Sequence, residues 1–119
     1  MTNSEIIQTY FKTFFNGRAK HSTVREFLTD DFVFTDPLMT ANSADEYIDQ
    51  LVSMGDEFEL YATVRKLVAG GDVVAALVEF SGPDGPMTYS QWFTLRDGKI
   101  ARLEVVYDPR PFLDRGEGR

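Results

Sequence analysis

The sequence predicts an α+β fold, with helices gathered in the first half of the chain and a four-stranded antiparallel meander filling the second. Two observations carry this reading. Thr2, Thr23 and Ser43 are each followed three positions later by Glu and then by apolar residues at helical spacing. From residue 57 onward, runs rich in Val, Phe, Tyr and Thr alternate with turns built from Gly, Pro and Asp. The expected order is helix, helix, strand, helix and four strands, α-α-β-α-β-β-β-β.

Thr2 and Glu5 form the first capping box, and Ile6, Ile7, Tyr10, Phe11, Phe14 and Phe15 recur at i, i+4, i+8 until Asn16-Gly17 ends the helix. A shorter helix follows Thr23 and Glu26, with Val24, Phe27 and Leu28 on one side. "FVF" at 32–34 is a short strand closed by Asp36-Pro37. The third helix starts at Ser43, and its stripe of Tyr47, Ile48, Leu51 and Val52 stops before Gly55. The four longer strands are "EFELYATVRKLVA", "DVVAALVEFS", "MTYSQWFTL" and "KIARLEVVY", separated by Gly70-Gly71, "GPDGP" and "RDG".

Period-two alternation assigns the faces of these strands. Phe58, Leu60, Ala62 and Val64 share one face, as do Val74, Ala76, Val78 and Phe80, and the helices must cover both sets. A three-residue loop with Gly98 in the left-handed position pairs Leu95 with Lys99, so Phe93 faces Ala101, Gln91 faces Leu103 and Tyr89 faces Val105. A two-residue Asp97-Gly98 loop would set Phe93 against Arg102 and mix the faces. The inner face then holds Tyr89, Gln91, Phe93, Leu103, Val105 and Tyr107, and the outer face Ser90, Trp92, Thr94, Arg102 and Glu104. Trp92 makes the outer face a candidate contact for a second copy.

Composition narrows the function. At 119 residues, 43% hydrophobic with ten phenylalanines, the chain is expected to form one domain around one core, with residues 113–119 as a disordered tail. A net charge of −7 without a basic patch argues against nucleic acid or an anionic membrane as partner. There is no cysteine, which excludes disulfides and thiol chemistry, and the single histidine, His21, lies in the polar "RAKHST" and reads as a surface residue. No zinc site, nucleotide loop or nucleophile elbow is visible, so no cofactor is expected. Without a leader-like N-terminus or an apolar span, the expected location is cytoplasmic.

Three polar residues stand where apolar neighbours would point them inward. Asp36 shares strand parity with Phe32 and Phe34. It reads either as an Asx turn before Pro37 or as a carboxylate between apolar walls, able to act as a general base. Tyr10 lies on the buried stripe of the first helix, and Gln91 in the middle of the inner hairpin face. Each alone reads equally as a satisfied structural group. Together they place one carboxylate and two neutral donors in the space bounded by Phe14, Phe34, Tyr89, Phe93, Leu103, Val105 and Tyr107. Asp30-Asp31 and Asp108 read as turn residues.

The element order, with "DDFVFTDPL" and the late "YDP", resembles the SnoaL-like and ketosteroid isomerase-like proteins of the nuclear transport factor 2-like (cystatin-like) superfamily. The likeness runs from the first helix through "YDPRPF" and implies a single SnoaL-like domain over residues 1–119. It also implies a cone-shaped α+β barrel, three N-terminal helices packed on a strongly curved antiparallel sheet, with a pocket at its open end. A homodimer through the outer sheet face, including Trp92, goes with it. The implied activity is a cofactor-independent isomerase, cyclase or lyase reaction, a proton transfer next to a carbonyl on a small hydrophobic molecule; a non-catalytic binding or dimerisation module of the same fold is the alternative. In such isomerases the aspartate of the Asp-Pro pair is the base, which falls on Asp36. Aligning the glycine that ends the first helix on Gly17 puts the oxyanion-stabilising tyrosine on Tyr10, across a longer link to Asp36. The second donor, a protonated aspartate, falls on Gln91, where an amide is the weaker acid. The Arg-x-Asp arrangement of the related epoxide hydrolases is missing, and His21 is poorly placed for dehydratase-like chemistry.

Overall fold

A computed structural model describes residues 1–82 and 85–114. Helix α1, Asn3–Phe14, begins at the expected box: Thr2 Oγ1 accepts the Glu5 N–H at 3.1 Å and Glu5 Oε1 accepts the Thr2 N–H at 2.8 Å. Its stripe of Ile6, Ile7, Tyr10, Phe11 and Phe14 is buried. The chain then forms strand β1, Asn16–Lys20, which the sequence did not announce because its composition is polar and only Gly17 and Ala19 face partly inward. A 3-10 helix, His21–Phe27, replaces the expected second α-helix. Its supposed box does not form, since the Thr23 hydroxyl donates back to the Lys20 carbonyl at 2.6 Å. His21 is partly covered, with Nδ1 2.8 Å from the Gly55 carbonyl oxygen and its ring stacked on Phe58 at 4.3 Å.

Strand β2, Leu28–Thr35, is longer than "FVF" and includes Asp30 and Asp31, which are therefore not turn residues. Both hold ion pairs, Asp30 with Arg25 and Asp31 with Arg96, each at 2.6 Å. The short β3, Thr40–Ala41, leads into α2, Ala44–Val52, where the Ser43 hydroxyl accepts the Glu46 N–H at 3.0 Å. Strands β4 (Glu57–Gly70), β5 (Val73–Gly82), β6 (Gly85–Arg96) and β7 (Lys99–Val106) follow, and α3, Arg110–Asp114, ends the description. Leu113 and Asp114, expected in a tail, belong to α3; residues 115–119 of that tail and residues 83–84 of the "GPDGP" turn lie outside the described residues.

The seven strands run in the order β1-β4-β5-β6-β7-β2-β3. The sheet is curved and mixed, not wholly antiparallel: β2 lies parallel to β7, with Phe34 beside Leu103. The two strands are joined through α2 and the whole meander, a connection long enough to return in the same direction. The β6–β7 hairpin also differs from expectation. Its loop is the two-residue Asp97-Gly98, both at positive φ (53° and 79°), pairing Arg96 with Lys99 and Leu95 with Ile100. A bulge at Ala101 then adds one residue to β7, so Phe93 pairs with Leu103 and Gln91 with Val105. The bulge restores the parity that the loop alone would have broken, and the two faces are populated as expected.

A second bulge, at Arg65, reverses the alternation along β4, so Leu67 faces inward beside Ala76 while Val68 is exposed outside. Helix α1 covers the inner face: the rings of Tyr10 and Phe11 meet Phe93 edge-on at 5.6 and 5.7 Å, and Phe15 meets Phe80 at 5.3 Å. Helix α2 contributes Tyr47, stacked on Phe34 at 4.7 Å and tilted against Phe32 at 5.1 Å. Among the described residues no helix is long and apolar enough to cross a membrane.

Candidate functional site

Where the two helices leave the inner face uncovered, a pocket of about 460 Å³ remains. That is within the range of small-molecule sites. Its walls include Tyr10 from α1, Phe34 and Asp36 from the end of β2, Tyr47 from α2, and Gln91, Leu103 and Val105 from β6 and β7. Tyr89 and Tyr107 complete one side, their rings 4.7 Å apart.

Asp36 forms the Asx turn, and its carboxylate also reaches the pocket. Its Oδ1 accepts the N–H groups of Leu38 at 2.8 Å and Met39 at 2.7 Å, while its own N–H donates to the Met39 carbonyl at 3.0 Å. This is an Asx turn, and it closes the tight connection in which Phe34 pairs with Ala41. The other oxygen, Oδ2, is not used by the turn. It accepts a long hydrogen bond from the Tyr107 hydroxyl at 3.4 Å, on the pocket side.

Gln91 is only 5% exposed, and its Oε1 has no hydrogen-bond partner among the described residues. Ala76 and Val105 flank it on the neighbouring strands and offer no polar side-chain atom. A buried, unpartnered amide oxygen costs about 1–3 kcal/mol. Gln91 is among the residues that line the pocket. Tyr10 is packed edge-on by Phe11, Phe14, Phe15, Phe27 and Phe93, and burial pushes its hydroxyl pKa well above the ordinary phenol value. Burial does the same to Tyr47, with the Tyr10 hydroxyl and the Asp36 charge adding to it. Tyr89 is raised by burial and then by Asp36, and Tyr107 is pushed up to about 12 by burial, the Asp36 charge, Tyr89 and its bond to Asp36.

Two expected wall residues are not walls. Phe14 is 2% exposed and sits behind Tyr10 against Phe27, and Phe93 is fully buried beneath Tyr10 and Phe11. Their inward parity is right, but the aromatic packing of α1 on β6 places them in the solid core below the pocket. Several walls were missed. Tyr47 read only as part of a helical stripe, and Phe15, Leu60 and Phe80 as general core. Phe112, which meets Tyr107 at 5.6 Å, stands on a helix that the sequence did not reveal.

A curved sheet that packs its inner face on helices around such a pocket defines the nuclear transport factor 2-like, ketosteroid isomerase-like class. The chain matches the SnoaL-like domain over residues 7–103 and belongs to that family. Among solved structures it is similar to an M. tuberculosis LEH-like epoxide hydrolase (TM-score 0.69, 14% identity, 93% of this chain and 86% of that one). A Catenulispora acidiphila protein of ketosteroid isomerase-like fold, in complex with trimethylamine, gives TM-score 0.68 at 16% identity over 90% and 88% of the two chains. An NTF2-like protein of unknown function from Cytophaga hutchinsonii gives 0.65 at 20% over 78% and 80%. At these identities the likeness is one of fold. Comparison with curated protein sequences finds no match.

The tyrosines make the site's pH behaviour predictable. All five are raised above the ordinary value, Tyr61 through its bond to Glu59 and the other four as described. Below pH ~10 they are neutral in both folded and unfolded chains and contribute no pH dependence. Above it the unfolded chain ionises first, so native stability falls as pH rises from ~10 through about 12, the value for Tyr107. Ultraviolet titration of phenolate should show the native protein lagging behind the denaturant-unfolded chain. Superimposable curves would contradict the burial of these hydroxyls.

Proposed function

We propose that the chain is a small-molecule enzyme of cofactor-independent type, moving a proton next to a carbonyl on a hydrophobic substrate. The observation that carries this is the division of labour within one carboxylate: Oδ1 of Asp36 is consumed by the turn, and Oδ2 faces an aromatic pocket that Tyr10 and Gln91 also line. Oδ2 takes the proton, the C–H electron pair moves into the enolate, and the carbonyl oxygen gains negative charge. Tyr10 and the Gln91 carboxamide donate to that oxygen. Donors of this kind contribute on the order of 10²–10³ in rate each. Because a phenol and an amide are weak acids, substrates with an already activated C–H suit the site best. Relatives of this fold include an LEH-like epoxide hydrolase and a protein solved with trimethylamine, both consistent with small organic ligands.

A second reading, a binding module without catalysis, is favoured by one observation. Asp36 already accepts two backbone N–H groups and a tyrosine hydroxyl, which also suits a carboxylate kept for structure. Solvent deuterium exchange into a panel of enolisable ketones separates the two. The wild type should exchange at least one member faster than buffer, and Asp36→Asn, which can still accept the turn's N–H bonds, should lose about 10²-fold or more. Exchange at the buffer rate throughout, or an unimpaired variant, leaves only the binding reading.

We also propose a homodimer through the outer sheet face. There Trp92 is 49% exposed, Val68 68% and Val106 61%, and Ala75 lies between Val68 and Trp92 in register. Exposed apolar side chains in adjacent register form a continuous patch that a second copy would cover. Trp92→Glu should shift a sizing profile from dimer to monomer; an unchanged profile, or a wild type that elutes as monomer, rules this interface out.

A further inference from the structure

The charge inventory of the pocket is one-sided. Asp36 is the single charged residue among its described walls, and no Lys, Arg or His joins it. Around the carboxylate stand the rings of Tyr47, Tyr89 and Tyr107, with Phe34 stacked on Tyr47 at 4.7 Å and Tyr89 against Tyr107 at 4.7 Å. The Tyr107 hydroxyl approaches Oδ2 at 3.4 Å, which sets that ring beside the negative charge. As phenols these three are un-ionised at neutral pH, and burial and the charge of Asp36 raise them further. A carboxylate in a pocket walled by aromatic rings, with no cation among the described walls, is suited to an organic cation, which gains both the Coulomb and the quadrupole attraction. The chain's net charge of −7 draws cations toward it as well.

The same inventory bears on the reaction. An enolate formed from a neutral ketone would develop a full negative charge opposite two uncharged donors, Tyr10 and Gln91. A substrate with its own positive charge removes that difficulty. We propose that the pocket takes a molecule bearing a protonated or quaternary amine near its carbonyl, with Asp36 as counter-ion in the ground state and as base in the reaction. This rests on the proton-transfer reading for its chemistry. The balance is simple: the C–H bond breaks, its proton goes to Oδ2, its electron pair becomes the enolate, and the ammonium is unchanged. Carboxylate plus cationic substrate carry zero net charge before the step, and so do neutral acid plus zwitterionic enolate after it.

Protein-observed NMR titration with benzyltrimethylammonium and its neutral carbon isostere neopentylbenzene tests the charge directly. The ammonium should bind at least ten-fold more tightly, with shifts at Asp36, Tyr47 and Tyr107. Asp36→Asn should bring the ratio close to one. On the wild type alone, added salt should weaken the ammonium and leave the isostere unchanged, a readout independent of how well the variant folds. Equal or tighter binding of the isostere, no binding of the ammonium at millimolar concentration, or salt-independent affinity overturns the inference. Ketone exchange that persists while the ammonium fails to bind removes the cation and keeps the enzyme. Ammonium binding without exchange on any ketone removes the catalytic step and keeps the cation site.

Discussion

The carboxylate of Asp36 is the constraint on which the rest of the site depends. Its Oδ1 bonds to Leu38 and Met39 fold the chain back after β2, and this return sets β3 against Phe34 and carries the chain to Ser43, the cap of α2. Helix α2 in turn brings Tyr47 onto Phe34, one wall of the pocket. The same side chain therefore shapes the site and presents the one charged oxygen within it. A turn residue fixed by three hydrogen bonds has little freedom left to lose, which suits the role of base proposed for it.

The pocket exists because large rings cover the sheet in two separate groups. Tyr10, Phe11 and Phe15 of the α1 region sit over Phe93 and Phe80, and Tyr47 of α2 sits over Phe32 and Phe34. Between them lies Gln91, a buried amide with an unpartnered oxygen. An aliphatic residue there would be the more stable choice for a purely structural core, since an unsatisfied polar atom is costly. Relief of that cost requires a donor, an N–H or O–H brought to the oxygen.

Much of this was legible in the sequence. The capping box at Thr2, the N-cap at Ser43, the face assignments of β5 and β6, and the inward parity of Tyr10, Asp36 and Gln91 follow from local periodicity, and the structure agrees. What escaped depends on distant partners. Strand β1 is polar and owes its conformation to pairing with β4, as Ala19 with Phe58, and the parallel contact of β2 with β7 joins residues some seventy apart. The hairpin register was misread because a bulge at Ala101 offset the turn, and bulges leave no clear mark in an alternating run. Tyr47 looked like any stripe residue until α2 was seen lying on β2, and Phe14 and Phe93 differ from true walls only by depth.

A crystal structure of the protein with a bound small phenol, whose oxygen stands in for an enolate, tests the convergence of these groups most directly. The account places the phenol in the pocket with its oxygen about 3 Å from both the Tyr10 hydroxyl and the Gln91 carboxamide, and its ring within reach of Asp36 Oδ2. A phenol bound in the pocket with its oxygen turned away from Tyr10 and Gln91, or one that settles elsewhere on the molecule, would contradict it.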